Sequence, residues 1–272
     1  MNRISKNIKK YSSFVKGYLM GQMAYRMSFI TMLIGNLFYI SVIYFLWKAI
    51  FAGVNQTVIN GMNFYDTILY LVIALVMSNI FETNIVGSMG SNYMTGQVSL
   101  DLVRPMDYQL MWYLYSMAHY ISVFIVEMVP AYAILYFMFN DNMKMGINIL
   151  FFIISLFCAT MTYFCIDFFV GTLCFYAQSV WGLNIAKNVI VAVLSGAVIP
   201  LAFYPKEIYN VLIHLPFHTI YYTPIKILIN ENYRVGNYVS MIVEQLLWFA
   251  VIFSISRLFW TISKKKVMVN GG

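Results

Sequence analysis

The chain has 272 residues, of which 61% are hydrophobic and only 10% charged, against roughly a quarter charged in ordinary globular domains. A soluble fold of this size could not cover its surface with so few charges, whereas lipid accepts an apolar outer face. The composition therefore excludes a disordered chain, a disulfide-stapled secreted domain and most soluble enzymes. The net charge of +7 does not point to nucleic acid, because the cations gather at the two ends: Arg3, Lys6, Lys9, Lys10, Lys16 and Arg26 open the chain, and Arg257, Lys264, Lys265 and Lys266 close it. Basic residues flanking apolar spans mark cytoplasmic ends and meet anionic lipid headgroups.

In chain order, the first expected element is an amphipathic helix. Ile4, Ile8, Tyr11, Val15 and Tyr18 recur at steps of four and three with lysines mostly between them, the spacing of one helical face. A helix with a basic side and an aromatic-rich apolar side lies in the membrane interface, so residues 1–26 are assigned to it. No small-residue cleavage site follows the first apolar run, which argues against a signal peptide.

A bilayer core of about 30 Å takes about 20 apolar residues of helix. Six segments reach that length, near 27–50, 64–87, 110–139, 147–172, 180–203 and 238–261. The fold expected is an all-α integral membrane protein with six transmembrane helices, a single domain over 1–272. An even number of spans puts both termini on one side, and the basic ends assign that side to the cytoplasm.

Three stretches are not simple spans. Residues 88–109 form the one sizeable cytoplasmic loop between spans, interrupted by glycines near its start and at Gly96, and closed by Pro105. The span at 110–139 would be about 45 Å long at 1.5 Å per residue; it must tilt, kink at Pro130 or project into the cytoplasm. The segment 204–237 is apolar but carries Pro205, Pro216 and Pro224, which suggests short re-entrant or interfacial helices on the outer side.

Charges within spans are the default functional candidates. Depth along the helix places Glu82, Asp167, Lys187, Glu244 and Arg257 near interfaces, with Lys187 able to snorkel to the headgroups. Glu127 falls near the middle of the third span, three residues before Pro130. Either it faces a polar cavity or subunit interface, or it is a protonated carboxyl bonded to a neighbouring helix or to backbone freed by the proline. His119, about 12 Å away along the helix, is too far for a direct pair. Cys158, Cys165 and Cys174 fit no zinc or redox spacing and read as buried thiols. His214 and His218 are four apart, but Pro216 disturbs the geometry and no third metal ligand is evident. There is no GxxxxGK[ST] phosphate loop, no HExxH and no GxSxG.

The order of elements resembles the permease subunits of ATP-binding-cassette exporters of the type-2 class. Gly96-Gln97-Val98-Ser99-Leu100-Asp101-Leu102-Val103-Arg104-Pro105-Met106-Asp107 is similar to that class's inner-loop pattern. Ser195-Gly196-Ala197-Val198-Ile199-Pro200-Leu201 and Leu215-Pro216-Phe217 look like its fifth-span exit and outer segment. The resemblance implies a dimer, with a second copy or a related permease, in a cell membrane of bacterial type. It implies separate ATPase subunits that hold ATP and its magnesium ion, with no cofactor on this chain. A coupling helix would fall within 91–106, with Gly96, Leu100, Asp101, Arg104, Pro105 and Asp107 serving contact with the ATPase. Glu127 and Pro130 become candidates for the translocation path, and Pro200, Pro205, Pro216 and Phe217 for an outer gate.

Spans rich in Met and aromatics, with few fixed charges, favour an amphipathic cargo such as a drug, peptide or lipid over an ion. The alternatives are a membrane scaffold or immunity protein that transports nothing, and a lipid enzyme. The second would have to draw on Glu127, His119 and Asp167, which lie at different depths.

Overall fold

The computed structural model of the chain describes residues 26–54, 58–138, 146–177, 180–230 and 233–267. The expected interface helix, up to residue 25, lies outside them. Helix α1 (Arg26–Val54) leads into a two-residue-strand hairpin, β1 (Val58–Ile59) and β2 (Met62–Asn63), with Ile59 opposite Met62. Asn60 and Gly61 make its turn at φ of 48° and 82°, the left-handed conformations that a tight two-residue hairpin requires. The Asn63 side chain then accepts the Asp66 N–H at 2.7 Å and starts α2 (Phe64–Phe81).

Helix α2 stops at Glu82-Thr83-Asn84 and resumes as α3 (Ile85–Met94), followed by the short α4 (Gln97–Val103). The expected loop 88–109 is therefore mostly helical. The glycines before Gly96 serve close approach rather than chain reversal: a Cβ on Gly90 would lie 2.4 Å from a methyl of Val180. Gly96, at φ 75°, is the residue that breaks the helix, because only glycine holds that conformation without strain.

Helix α5 (Tyr108–Val123) passes through a π-helical turn, Phe124–Met128, into α6 (Val129–Met138). The Val129 N–H reaches back five residues to the Phe124 carbonyl. A proline at 130 lacks its own N–H and crowds the carbonyl four residues earlier, and widening the preceding turn relieves that crowding. The expected kink is thus a local widening just ahead of Pro130.

Helix α7 (Asn148–Leu173) is followed by α8 (Val180–Leu194), whose 15 residues extend about 22 Å. Beyond Leu194 the backbone leaves the helix and makes a 3-10 turn at Leu201–Phe203, so the segment expected as a span at 180–203 is helical over little more than half its length. Next come α9 (Lys206–Leu212), a 3-10 turn at Pro216–Thr219 and α10 (Tyr222–Ile229). Pro205 precedes α9, Pro216 opens the 3-10 turn and Pro224 lies in the first turn of α10, the helix positions where a missing N–H costs least. Helix α11 (Val235–Val267) closes the described chain.

Among the described residues, five helical stretches are long and apolar enough to cross a membrane: Ile34–Val54, Phe64–Met94, Tyr108–Tyr136, Asn148–Leu173 and Val235–Lys266, with Val180–Leu194 a shorter apolar helix. The chain is an all-α multi-pass membrane protein apart from the small hairpin. The second and fourth of these are inner helices, 67% and 61% buried over their apolar windows, whereas the first and last are only 11% buried. The main core gathers around α2, α7 and α10. A second core lies at the end of the molecule that carries α4, where Ile85, Met89, Val98, Phe168 and Phe175 surround the stacked rings of Tyr108 and Trp260, 4.5 Å apart.

Candidate functional site

The six residues singled out in the 96–107 stretch all gather at one end of the bundle, but they divide by direction. Val98 is 1% exposed and anchors α4 in the second core. Asp101 turns inward: its carboxylate accepts from the Asn92 amide at 3.3 Å and pairs with Arg104 Nη1 at 3.4 Å. Asp107 starts α5 by accepting the Leu110 N–H at 3.0 Å, and it also meets both Arg257 Nη atoms in a two-pronged pair across to α11. Burial pushes the Asp107 carboxyl up, but the Arg257 guanidinium and the N–H groups of Leu110 and Gln109 outweigh it and hold it below the usual carboxylate range. Leu100 and Val103 point away from the molecule, 63% and 83% exposed, beside exposed Arg104 and Pro105. Helix α4 is a short platform fixed underneath and apolar on top.

Depth along each helix does not tell which way the charges inside the bundle face. Asp167 and Lys187 both turn into the protein, 0% and 5% exposed, and pair with each other. Lys187 Nζ donates to Asp167 Oδ1 and to the Tyr163 hydroxyl at 3.1 Å, and the Thr83 hydroxyl donates to the other Asp167 oxygen. A carboxylate buried in this position needs a cation and hydrogen bonds to remain charged, and Lys187 therefore turns inward instead of snorkelling. The node joins α7, α8 and the break between α2 and α3. A signal for it was present in the sequence, since each residue lies about two turns from the short α7–α8 connection, at matching depth.

Glu127, in the π turn, is 7% exposed, and its carboxylate accepts from the Asn79 amide on α2 at 2.7 Å. The Asn79 carbonyl in turn lies 3.1 Å from His119 Nε2. Of the two readings of Glu127, the geometry is that of a carboxyl bonded to a neighbouring helix. His119 and Glu127 make no direct pair, and Asn79 links them.

A cleft of about 270 Å³ opens between α2 and α8, walled by Leu71, Leu75 and Ser78 on α2, by Glu82 just past its end and by Asn188, Val191 and Ala192 on α8. Tyr39, Tyr163 and Tyr221 line it with Ala197 and Val198. Leu71, Leu75, Ser78 and Glu82 follow one another at steps of four and three, one face of a helix. The Tyr221 hydroxyl donates to Ser78 Oγ at 3.3 Å. Glu127 and Pro130 are not among the residues lining this cleft.

At the opposite end, Pro200 is buried and Pro205 exposed. Phe217 borders an apolar groove of about 360 Å³ between α7, α8 and α11. Gln245 on α11 fixes this end by donating to the Thr219 carbonyl at 2.8 Å and accepting from the Ser155 hydroxyl at 2.8 Å. His218 Nε2 meets Glu244 at 3.3 Å, while His214 Nδ1 lies 2.7 Å from its own helix's Asn210 carbonyl. Among the described residues no group of three His, Cys, Asp or Glu could hold a metal ion, and the three cysteines are free and buried.

The sequence profile of the family described as ABC-2 family transporter protein matches residues 16–271. Comparison with curated proteins finds no match. The matched region takes in all five long apolar helices, the α4 platform, the buried ion-pair node and the α2–α8 cleft, and the chain belongs to the ABC-2 family of transporter proteins, as a membrane-spanning permease.

Proposed function

We propose that the chain is the permease subunit of an ATP-driven exporter, working as a dimer with itself or a related permease and driven by a separate ATPase that docks on α4. The observation that carries this reading is the α4 platform. Leu100 and Val103 expose apolar side chains at the tip of the bundle, on a helix whose other side is anchored by Val98 and by Asp101. Exposed apolar groups on a rigid base are what a partner surface needs, because docking then orders few side chains. The α4 end is the cytoplasmic one in this reading, which places Lys264, Lys265 and Lys266 of α11 beside the inner headgroups.

Closure of the ATPases would push α4. The push has stiff routes into the bundle: through α3, whose Gly90 lies against Val180 of α8, and through Asp107 to Arg257 of α11. The first leads to the α2–α3 break, where Thr83 joins the Asp167–Lys187 node. Movement there would open or close the α2–α8 cleft, which we take as this subunit's share of the translocation path. Glu127, Asn79 and the π turn before Pro130 would brace that path from behind. The segment from Pro200 to Phe217 would form the outer gate, and the cargo would be amphipathic.

The test is a mild-detergent pull-down of the tagged chain from its native membranes beside Leu100→Glu/Val103→Glu. Both side chains are exposed, so the variant leaves the fold's own contacts in place. An ATPase should co-purify with the wild type and be depleted at least tenfold with the variant. Equal recovery of the ATPase would remove α4 as the docking site, and no ATPase in either sample would leave the non-transporting scaffold as the better reading.

A further inference from the structure

We infer that the α2–α8 cleft is a binding site for an organic cation, an ammonium group carried on an aromatic or apolar body, with Glu82 as the residue that selects the charge. The inference rests on the reading of this cleft as part of the translocation path.

Glu82 is the only charged residue lining the cleft among the described residues. It is exposed, and among those residues no Lys, Arg or His forms an ion pair with it. The cation closest in kind, Lys187, is committed to Asp167 and Tyr163 behind the cleft wall, so that node adds little net charge at the cleft's edge. Glu82 stands just past the end of α2, exposed and with no cation among the described residues paired to it, where it can meet a ligand's positive charge. Here it caps a wall that is apolar along Leu71, Leu75 and Val191, and carries the hydroxyl and amide of Ser78 and Asn188.

The remaining wall favours the same ligand chemistry. Tyr39, 44% exposed, is the tyrosine open at the cleft, while Tyr221 is buried in its wall with its hydroxyl on Ser78. Tyrosine ring faces attract cations, and quaternary ammonium groups are commonly recognised by such rings together with a carboxylate. Apolar walls with a few placed polar groups are the usual make-up of a small-molecule site. An anionic cargo would meet Glu82 with no compensating cation and be repelled. Glu82 also lies at the break that follows α2, next to Thr83 of the ion-pair node. A ligand on its carboxylate would therefore touch the segment that the proposed α4 movement shifts.

The test uses benzyltrimethylammonium as the cationic probe and neopentylbenzene, its uncharged isostere, each in radiolabelled form, on the full chain purified into nanodiscs. Wild type should bind the cation at least tenfold more tightly than the isostere. Glu82→Gln should lose that preference while still binding the isostere as wild type does, and Glu82→Asp should keep a reduced preference. Asp66→Asn, which alters a carboxylate in the first turn of α2 outside the cleft, should leave the preference intact. Equal binding of the two probes by wild type overturns the inference, as does a Glu82→Gln variant that still prefers the cation. A Glu82→Gln variant weakened equally for both probes also overturns it, since that result marks a structural role. Because no ATPase enters the assay, these outcomes are independent of whether an ATPase co-purifies, and the cation site can fail while the permease reading stands.

Discussion

The Asp167–Lys187 pair illustrates what a residue-level reading of a membrane protein leaves out. Counting residues from the nearest helix end gives each charge a depth but not the face it occupies, so the count does not pair them. The structure fills that gap: Thr83 and Tyr163 supply the hydrogen bonds that let both charges stay buried. Removing one partner leaves an uncompensated buried charge, which typically costs about 3–5 kcal/mol, whereas removing both is far milder. Lys187→Met should therefore lower the melting temperature in detergent sharply, and adding Asp167→Asn should restore most of the loss. A single variant that melts like wild type would mean that the pair is not buried in the membrane-embedded protein. Glu127 makes a complementary case. Glu127→Gln keeps an acceptor for the Asn79 amide and should melt within a few degrees of wild type. Asn79→Leu removes the donor and leaves the carboxyl without its partner, at a cost of about 1–3 kcal/mol, readable as a clear fall in the same melting measurement.

At the scale of elements, the apolar runs predicted the long helices well, because length and hydrophobicity decide a membrane span without reference to neighbours. The breaks were harder to place. Near Pro130 the sequence indicated a disturbance but not its form, since whether a helix kinks or widens depends on what packs outside it. Asn60-Gly61, between the two-residue strands Val58–Ile59 and Met62–Asn63, is a recognised hairpin signal that is easily passed over between two long apolar runs. The glycines ahead of Gly96 misled in the other direction: a glycine in a membrane helix as often marks close helix packing as a turn, and only the position of Val180 against Gly90 decides between them. Gly90→Val should force α3 and α8 apart, with an overpacking cost of about 1–3 kcal/mol. In the proposed mechanism it should also weaken coupling between the ATPase and the cleft. The expected result is a lowered melting point with ATPase recovery intact, since α4 itself is untouched; loss of the ATPase would show that α4 cannot hold its shape without that contact.

The whole molecule divides into a buried interior and two outer helices that keep one side against it and turn the other outward. Helices α2 and α7 are largely buried, and α1 and α11 expose most of their apolar surface, which lipid or a second subunit would cover. The all-α membrane architecture and the family were legible in the sequence because order of elements and local pattern both survive without tertiary contacts. The division of the 96–107 segment into inward Asp101, an exposed Asp107–Arg257 pair and outward Leu100 and Val103 was not, because charge draws the eye and the direction of a side chain is set by what anchors the helix. The same blind spot hid the cleft, whose walls come from α2 and α8, more than a hundred residues apart in sequence.

The central claim is that a separate ATPase sits on α4, and the most direct measurement is photo-crosslinking in native membranes from a photoreactive amino acid placed at position 100 or 103. The account predicts a single major adduct to a protein with a phosphate-loop ATPase sequence, absent when the photoreactive group is placed at exposed, lipid-suited position 247 of α11. Adducts to lipid alone, or to a protein with no nucleotide-binding sequence, would contradict it.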